Sequence, residues 1–597
     1  MIGAWSLSGA LLDRERDLRP LLAHGADPKI STARLWLSSE NLAHDGDRVA
    51  AFVGFATGGL KGLLAGETPE GGFVAVRGEG EGSLTLLRGP SGGERLYVAQ
   101  QGEVAYFASS VRPLLALVGQ RLNTAVLDEA LLTGQTMLGG DTLHEGISEV
   151  LAGHHLVLSD RVGDQVFTQP EILRSPVGSV ESLARAFRDR LTEAVVLAAG
   201  PERPVAIALS GGIDSSAVAA AAVDAFGAEN VVAYTYEFED PTHGTELHYA
   251  RQVAIRLGIK NHHVFQLTAK DYLAAIPEMI WRSESVVHWP KAFMLLVARH
   301  LRSRGHDRYL TGFGIGSHTA WLRDLAGLLH HAPASAVLAH WKPLAFRSAR
   351  PSLTRLADRI SQLHPGLEQP HPRLYYVVLR ILEHAGRIKD LPSFFPAAMA
   401  PFLERRRPFE ALEPSLEGLP LVDQLLRVTF GHMVSCVDVT RSERASRELG
   451  VLRLAPAHFA SVIPYAYQPV EPAPRLWTQD RALRPGKLLL RHAFADALPD
   501  GVLYRIKNWD DAVASPSWLT AARRKMLSTL PGFPRDAERY GPGYADAIRY
   551  WEPRSTLASG LSLRLWERMF VELPVTSEPP TWSTLHPTRA PSPLVPT

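Results

Sequence analysis

A single cysteine, Cys436, stands among 597 residues, which excludes an internal disulfide framework and a multi-cysteine zinc site and fits a reducing compartment. Neither sign of charge is in excess: 63 Lys and Arg against 62 Asp and Glu give a formal net charge of +1. No global field therefore favours nucleic acid or an anionic membrane surface. The sequence has no run of about 18 apolar residues, and its amino end lacks the basic region and apolar core of an export signal. A soluble cytoplasmic protein without nucleic-acid or membrane partners is expected, long enough for two or three domains with large cores.

The informative stretch runs from Val205 to Ser216. Five apolar residues, Val205 to Leu209, predict a buried parallel strand, and the Ala-rich run from Ala217 to Val223 predicts a helix after it. Between them, Gly211 and Gly212 let the backbone approach an anion. The hydroxyls of Ser210, Ser215 and Ser216 and the helix amino end are expected to aim donors at it. Asp214 adds the carboxylate that a hard cation such as Mg²⁺ needs when it bridges phosphate oxygens. An ordinary strand, turn and helix of small residues is the bland alternative. The stretch resembles the pyrophosphate loop, S-G-G-x-D-S, of the ATP pyrophosphatases, which cleave ATP to AMP and pyrophosphate while activating a carboxylate. A Walker loop would end in Gly-Lys-Ser/Thr instead.

Upstream, residues 1 to 158 are rich in Gly and in short β-like runs such as Phe73–Val76, Leu84–Leu87 and Val104–Phe107, which predicts antiparallel hairpins in a layered α+β domain. The succession Leu87-Arg88-Gly89-Pro90, Tyr106-Phe107-Ala108-Ser109, Leu143-His144-Glu145-Gly146-Ile147 and Ala152-Gly153-His154-His155 resembles the amino-terminal glutaminase-type domain of the asparagine synthetases. That resemblance implies an Ntn-hydrolase-like αββα sandwich. Glutamine-using members carry a nucleophilic cysteine directly after the initiator methionine, where this chain has Ile2. An alkyl side chain has no lone pair to attack an amide, and a bulky second residue should leave Met1 in place. The Asn-Gly-Glu stretch that holds glutamine is also missing, its nearest counterpart being Phe55 to Gly59. A scaffold without glutaminase activity is expected over residues 1–165, followed by a linker over 166–180.

Downstream, a helix with Leu183, Phe187, Leu191 and Val195 on one face, then strand, helix, strand, helix, predicts a doubly wound α/β sheet with its ligand at the carboxyl ends of the strands. The domain is expected to span 181–574, with a disordered tail over 575–597. It resembles the synthetase domain of the asparagine synthetases, an ATP pyrophosphatase fold with many added helices. The resemblance implies that ATP and pyrophosphate are held by Leu209, Ser210, Gly211, Gly212, Asp214, Ser215, Ser216, Tyr236, Thr311 and Gly312, that Asp214 binds Mg²⁺, and that Lys507 is catalytic. Lys507 belongs to a closing signature running from Gly486-Lys487-Leu488-Leu489-Leu490-Arg491 to Tyr504-Arg505-Ile506-Lys507; an ordinary solvated lysine is the alternative there. The chain departs from the family at Thr311-Gly312-Phe313-Gly314-Ile315-Gly316, where Gly316 replaces a metal-binding Asp and Phe313 an acidic or tyrosine residue. It departs again at Pro456-Ala457-His458-Phe459, where the family writes Pro-Phe-Leu-Asp. The adjacent pairs His262-His263 and His330-His331 cannot share a helical face and are expected to be packing or surface residues.

Without a glutaminase nucleophile, the attacking amine should already belong to the substrate. Among relatives of that kind the chain most resembles the lasso peptide cyclases, partly through Trp321-Leu322-Arg323-Asp324-Leu325. This implies adenylation of an Asp or Glu side chain of a core peptide and closure of a macrolactam on its amino-terminal amine. The partners would be the precursor peptide, a leader peptidase and a leader-binding protein. A β-lactam-forming synthetase and a degenerate nucleotide- or peptide-binding scaffold are the alternatives.

Overall fold

The structure is a computed structural model, and it describes most of residues 1–9, 29–126, 140–167, 178–239, 246–313, 440–466, 487–504, 516–530 and 553–586. The amino-terminal region runs β1 (Ile2–Ser6), β2 (Ile30–Ser31), β3 (Leu35–Ser38), β4 (Asn41–Asp45), β5 (Arg48–Gly54), α1 (Gly59–Leu64), β6 (Phe73–Glu79), β7 (Ser83–Arg88), β8 (Tyr97–Gln101), β9 (Val104–Ala108), α2 (Arg112–Val118), β10 (Ile147–Glu149), β11 (His154–Leu158) and β12 (Val162–Phe167). These form two six-stranded sheets, ordered β10-β8-β9-β1-β3-β2 and β12-β11-β7-β6-β5-β4, and all their pairings are antiparallel. Alternation along the strands puts Trp5, Leu37, Val74, Leu86, Val98 and Phe107 into one apolar core. Gly3 is required inside β1, because a Cβ there would lie 2.2 Å from the Phe107 ring. Leu63 of α1 packs with Phe73, Ala75 and Leu87 in a separate cluster.

The expected linker is shorter at its start. Strand β12 extends through Phe167, because Gln165 ties it down: its amide donates to Glu149 O at 2.9 Å and its carbonyl accepts from Leu151 N at 2.8 Å. At the other end Val180 already opens helix α3 (Val180–Ala199), capped by the Ser179 hydroxyl.

The second region is a five-stranded parallel sheet of β13 (Val205–Ala208), β14 (Val231–Phe238), β15 (Asn261–Leu267), β16 (Arg308–Thr311) and β17 (Leu452–Leu454), in the order β15-β14-β13-β16-β17. Helix α3, with α4 (Ile213–Phe226) and α5 (Glu246–Arg256), shares one apolar cluster with strand residues Val205, Ile207 and Leu310. The predicted face of α3 is correct, Leu183, Phe187, Leu191 and Val195 all being buried. Helices α6 (Ala269–Ser283), α7 (Phe293–Ser303) and α8 (Thr440–Glu448) join the other cluster, with Ala206, Val232 and Tyr309. This second cluster continues into Ile2, Trp36, Tyr97 and Tyr106 of the antiparallel region, so the two regions share one core.

The remaining described helices are α9 (Leu488–Ala493), α10 (Pro516–Thr529), α11 (Pro553–Glu567) and α12 (Trp582–Leu585), beside shorter turns. Helix α12 corrects the expectation of disorder for the part of 575–597 that is described; residues 587–597 lie outside the described residues. A capping box between Thr581 and Thr584 starts the helix, Leu585 is fully buried, and the Trp582 indole donates to Leu273 O at 2.8 Å. The Pro, Ser and Thr content suggested a tail, but two apolar anchors suffice to fold this part of it.

His144 is 3 % exposed, and neither ring nitrogen has a hydrogen-bond partner among the described residues. It lies 4.8 Å from the Trp566 ring and 6.1 Å from that of Phe570. Burial pushes its pKa down from 6.5 to about 3. The unfolded chain therefore binds this proton more tightly, and stability falls as pH drops below 6.5, by up to about 1.4 kcal/mol per pH unit. A His144→Phe variant should have a flatter pH dependence of unfolding between pH 6.5 and 4. An unchanged slope would exclude His144 as the group responsible.

Candidate active site

Strand β13 lies where the sheet order reverses, since the chain leaves it on one side to β14 and returns on the other as β16. Such a switch point opens a crevice at the carboxyl ends of the strands. Leu209 extends β13 into it: its amide donates to Tyr234 O at 2.9 Å and its carbonyl accepts from Thr235 Oγ1 at 2.6 Å, while its side chain is core. Gly211 follows at φ +73°, and a Cβ there would sit 2.5 Å from Ala250 N of α5. Both the left-handed turn and the close approach of α5 demand glycine.

The serines divide their work differently from expectation. Ser215 Oγ donates to Gly212 O at 3.0 Å and accepts from Ser210 N at 3.2 Å. Ser216 Oγ, fully buried, donates to the same carbonyl at 2.8 Å. Hydroxyls in the first helical turn reach back to the carbonyl three or four residues earlier, so these two hold the loop closed rather than point at an anion. Ser210, half-buried with its Oγ 3.1 Å from Ser215 Oγ, is the serine left facing the crevice beside the free amides that open α4.

Asp214 stands in the first turn of α4. Its Oδ2 accepts from Lys487 Nζ at 2.8 Å, and its Oδ1 is buried without a hydrogen-bond partner among the described residues. Lys487 sits at the start of α9 with φ +56°, a conformation that β-carbon sterics disfavour. In the sequence Lys487 is one residue of the closing signature, and the catalytic role implied by the resemblance falls on Lys507, which lies outside the described residues together with Gly316 and 321–325. The missed signal was the Gly486-Lys487 step, whose lysine folds back 273 residues to the loop.

Thr311 and Gly312 reach the same place through β16, in register Ala208 with Thr311. A Cβ on Gly312 would lie 2.3 Å from Asp214 C and Ser215 N, so this glycine lets the second loop press on the start of α4. Tyr236 stays apart from these contacts: its ring packs with Phe238 at 5.7 Å and Phe293 at 5.1 Å, and burial raises its phenol pKa, keeping it neutral. His262 and His263 point to opposite faces of β15, one bonded to Thr235 Oγ1 and the other stacked on Tyr234; the pair His330-His331 lies outside the described residues. No group of three or more His, Cys, Asp or Glu among the described residues is arranged to hold a metal. Ile2 is 9 % exposed within the shared core and offers no nucleophile.

A parallel sheet with a glycine-serine loop at its switch point defines the class, an open parallel α/β domain. The family described as asparagine synthase matches residues 186–383, about a third of the chain, and glutamine-hydrolyzing asparagine synthetases are among the proteins the chain is similar to. It is 28 % identical over 197 residues to the amidase ChyE of Penicillium rubens, covering 30 % of this chain and 29 % of that one. It is 35 % identical over 102 residues to a probable glutamine-hydrolyzing asparagine synthetase of Acanthamoeba polyphaga mimivirus, covering 17 % and 18 %. It is 30 % identical over 230 residues to the carboxyethyl-arginine beta-lactam-synthase of Streptomyces clavuligerus, covering 35 % and 42 %. In each case the match spans less than half the relative's length. No described helix is long and apolar enough to cross a membrane.

Proposed function

We propose that the chain is an ATP-dependent, AMP-forming synthetase that activates a carboxylate as an acyl-adenylate and closes an amide with an amine of the same substrate. The observation that carries this reading is the meeting of Ser210, the amides of α4, Asp214 and Lys487 at the switch point. Phosphate oxygens would lie against the α4 amides and Ser210, and the Lys487 ammonium offsets the charge that builds on departing pyrophosphate. Asp214 Oδ1 fits a Mg²⁺ ion, because a buried carboxylate oxygen without a donor is the ligand such an ion takes, and Mg²⁺ needs few protein ligands beside phosphate and water. When bound, the ion would neutralise phosphate charge. The amine then attacks the activated carbonyl, and the site contributes by holding the two ends in contact.

An internal amine follows from Ile2: the Ntn-like sandwich retains no side chain at position 2 that could release ammonia, and serves as scaffold. In the finer reading the substrate is a core peptide, closed to a macrolactam through its Asp or Glu side chain with the help of a leader peptidase and a leader-binding protein. Its support is the sequence resemblance to the lasso cyclases. The second reading, β-lactam formation on a small amino-acid derivative, is favoured by the 230-residue match to a β-lactam-forming relative.

Pyrophosphate release from the full chain with ATP and Mg²⁺ should depend on the acceptor. A macrolactam product from a peptide ending its ring at Asp or Glu supports the first reading, and turnover only with an N-carboxyalkyl amino acid supports the second. No release with either, across a Mg²⁺ series, would sink the synthetase reading and leave a nucleotide- or peptide-binding scaffold.

A further inference from the structure

Four arginines are buried among the described residues: Arg88, Arg444, Arg453 and Arg568. Three have a carboxylate partner, Arg88 with Glu149 at 2.6 Å, Arg444 with Glu284 at 3.0 Å and Arg568 with Glu572 at 2.9 Å. Arg453 makes no ion pair among the described residues. Its partners are hydroxyls, Ser442 Oγ at 2.9 Å and the Tyr309 phenol. The nearby Glu443, whose carboxyl pKa burial pushes up, makes no ion pair with it. A guanidinium only 5 % exposed and without a counter-ion among the described residues is costly unless an anion joins it.

The place of this cation gives it meaning. Arg453 lies on β17, with its guanidinium 5.0 Å over the Phe313 ring. The Lys291 ammonium lies 5.8 Å over the same ring, and the His458 ring is 6.2 Å away. Phe313 directly follows Gly312, which presses on Asp214. Two cations therefore converge on the first residue beyond the nucleotide loop, at the carboxyl ends of β16 and β17. Phe313 and His458 are two positions where the chain departs from the family pattern, and the fold brings them together.

We propose that Arg453 and Lys291, ranged about Phe313, form an oxyanion subsite that receives a carboxylate of the acceptor substrate. This rests on the synthetase reading above. Phosphate shares the chemistry, and the nucleotide would be its source, so the test separates the two. Arg453 suits a carboxylate because its planar fork can donate two parallel hydrogen bonds while its face stays on the ring.

The test is calorimetric titration of the full chain with glutarate, glutaramide and inorganic phosphate, beside the nonhydrolysable nucleotide AMP-CPP with Mg²⁺. Glutarate should bind, glutaramide should not, and Arg453→Gln should weaken glutarate about tenfold or more while Arg453→Lys restores part of it. AMP-CPP affinity should stay within about threefold in these variants. If Arg453→Gln fails to fold, Lys291→Met carries the same expectation. Glutarate binding that ignores both substitutions, or no glutarate binding where AMP-CPP binds, overturns the subsite. Phosphate binding as tightly as glutarate and lost with Arg453 would assign the anion to the nucleotide and overturn the carboxylate. Failure of AMP-CPP to bind the unmodified chain would instead overturn the synthetase reading.

Discussion

Lys487→Met should lower the rate of pyrophosphate release by roughly two to three orders of magnitude, with a much smaller effect on stability. The ammonium lies 2.8 Å from Asp214 Oδ2, and both side chains keep about a fifth to a quarter of their surface in solvent. Screening by that solvent limits what the pair adds to folding, roughly 1 kcal/mol or less. Its value to the reaction is larger, because in a crevice that a nucleotide closes to water a fixed cation beside the phosphates needs no reorganisation as charge develops. The left-handed backbone of Lys487, φ +56°, points the same way, since a disfavoured conformation persists where the surroundings enforce it. Steady-state pyrophosphate release should show the loss chiefly in kcat, and Lys487→Arg should recover part of it. A kcat within threefold of the unmodified chain would mean that Lys487 only neutralises Asp214.

Glu284→Gln should cost about 3–5 kcal/mol of unfolding free energy, the usual effect of breaking a buried ion pair from one side. The carboxylate is fully buried and joins the two regions. It accepts from the Ser110 hydroxyl and from Val111 N at 2.9 Å, and pairs with Arg112 at 3.2 Å and Arg444 at 3.0 Å. Arg112 also lies 3.5 Å over the Trp281 ring, and Arg447 of α8 pairs with Glu94. Burial alone would raise the Glu284 pKa, yet Arg444 and Arg112 hold it below the ordinary value. A depressed carboxylate contributes stability above its unfolded pKa, and that contribution is lost as pH falls through the folded one. Denaturant unfolding at pH 7 should show the full loss, and the gap between variant and parent should narrow in acid below pH 4.5. A difference under about 1 kcal/mol at pH 7 would show that water reaches the cluster.

The strand, loop and helix at the switch point were legible because their determinants are local. The strand, loop and helix from Val205 to Ser216 form one continuous segment, and small residues at fixed spacing are needed for a backbone to cradle phosphate. The roles of Ser215 and Ser216 were not legible: whether a hydroxyl turns to ligand or to a carbonyl depends on helix geometry at Gly212. The aromatic cluster of Tyr236 with Phe238 and Phe293 was not legible either, because α7 brings Phe293 onto β14. The order of residues 581–586 was not legible for a related reason, since polarity dominates the composition there while Trp582 and Leu585 supply the anchors.

By itself the sequence determined the strand, glycine-serine loop and helix from Val205 to Ser216, the alkyl side chain at Ile2, the antiparallel and parallel regions and the apolar face of α3, all of them matters of neighbours along the chain. Only the tertiary structure decided that Lys487 is the cation on Asp214, that Glu284 locks the two regions together, and that Phe313 and His458 meet beside Arg453. Lys487 and Asp214, Glu284 and Arg112, and Phe313 and His458 are separated by 273, 172 and 145 residues. No periodicity reports such distances; they are set by the order of strands in the sheet and the packing of helices on its faces, where burial makes each unpaired charge costly enough to need a partner.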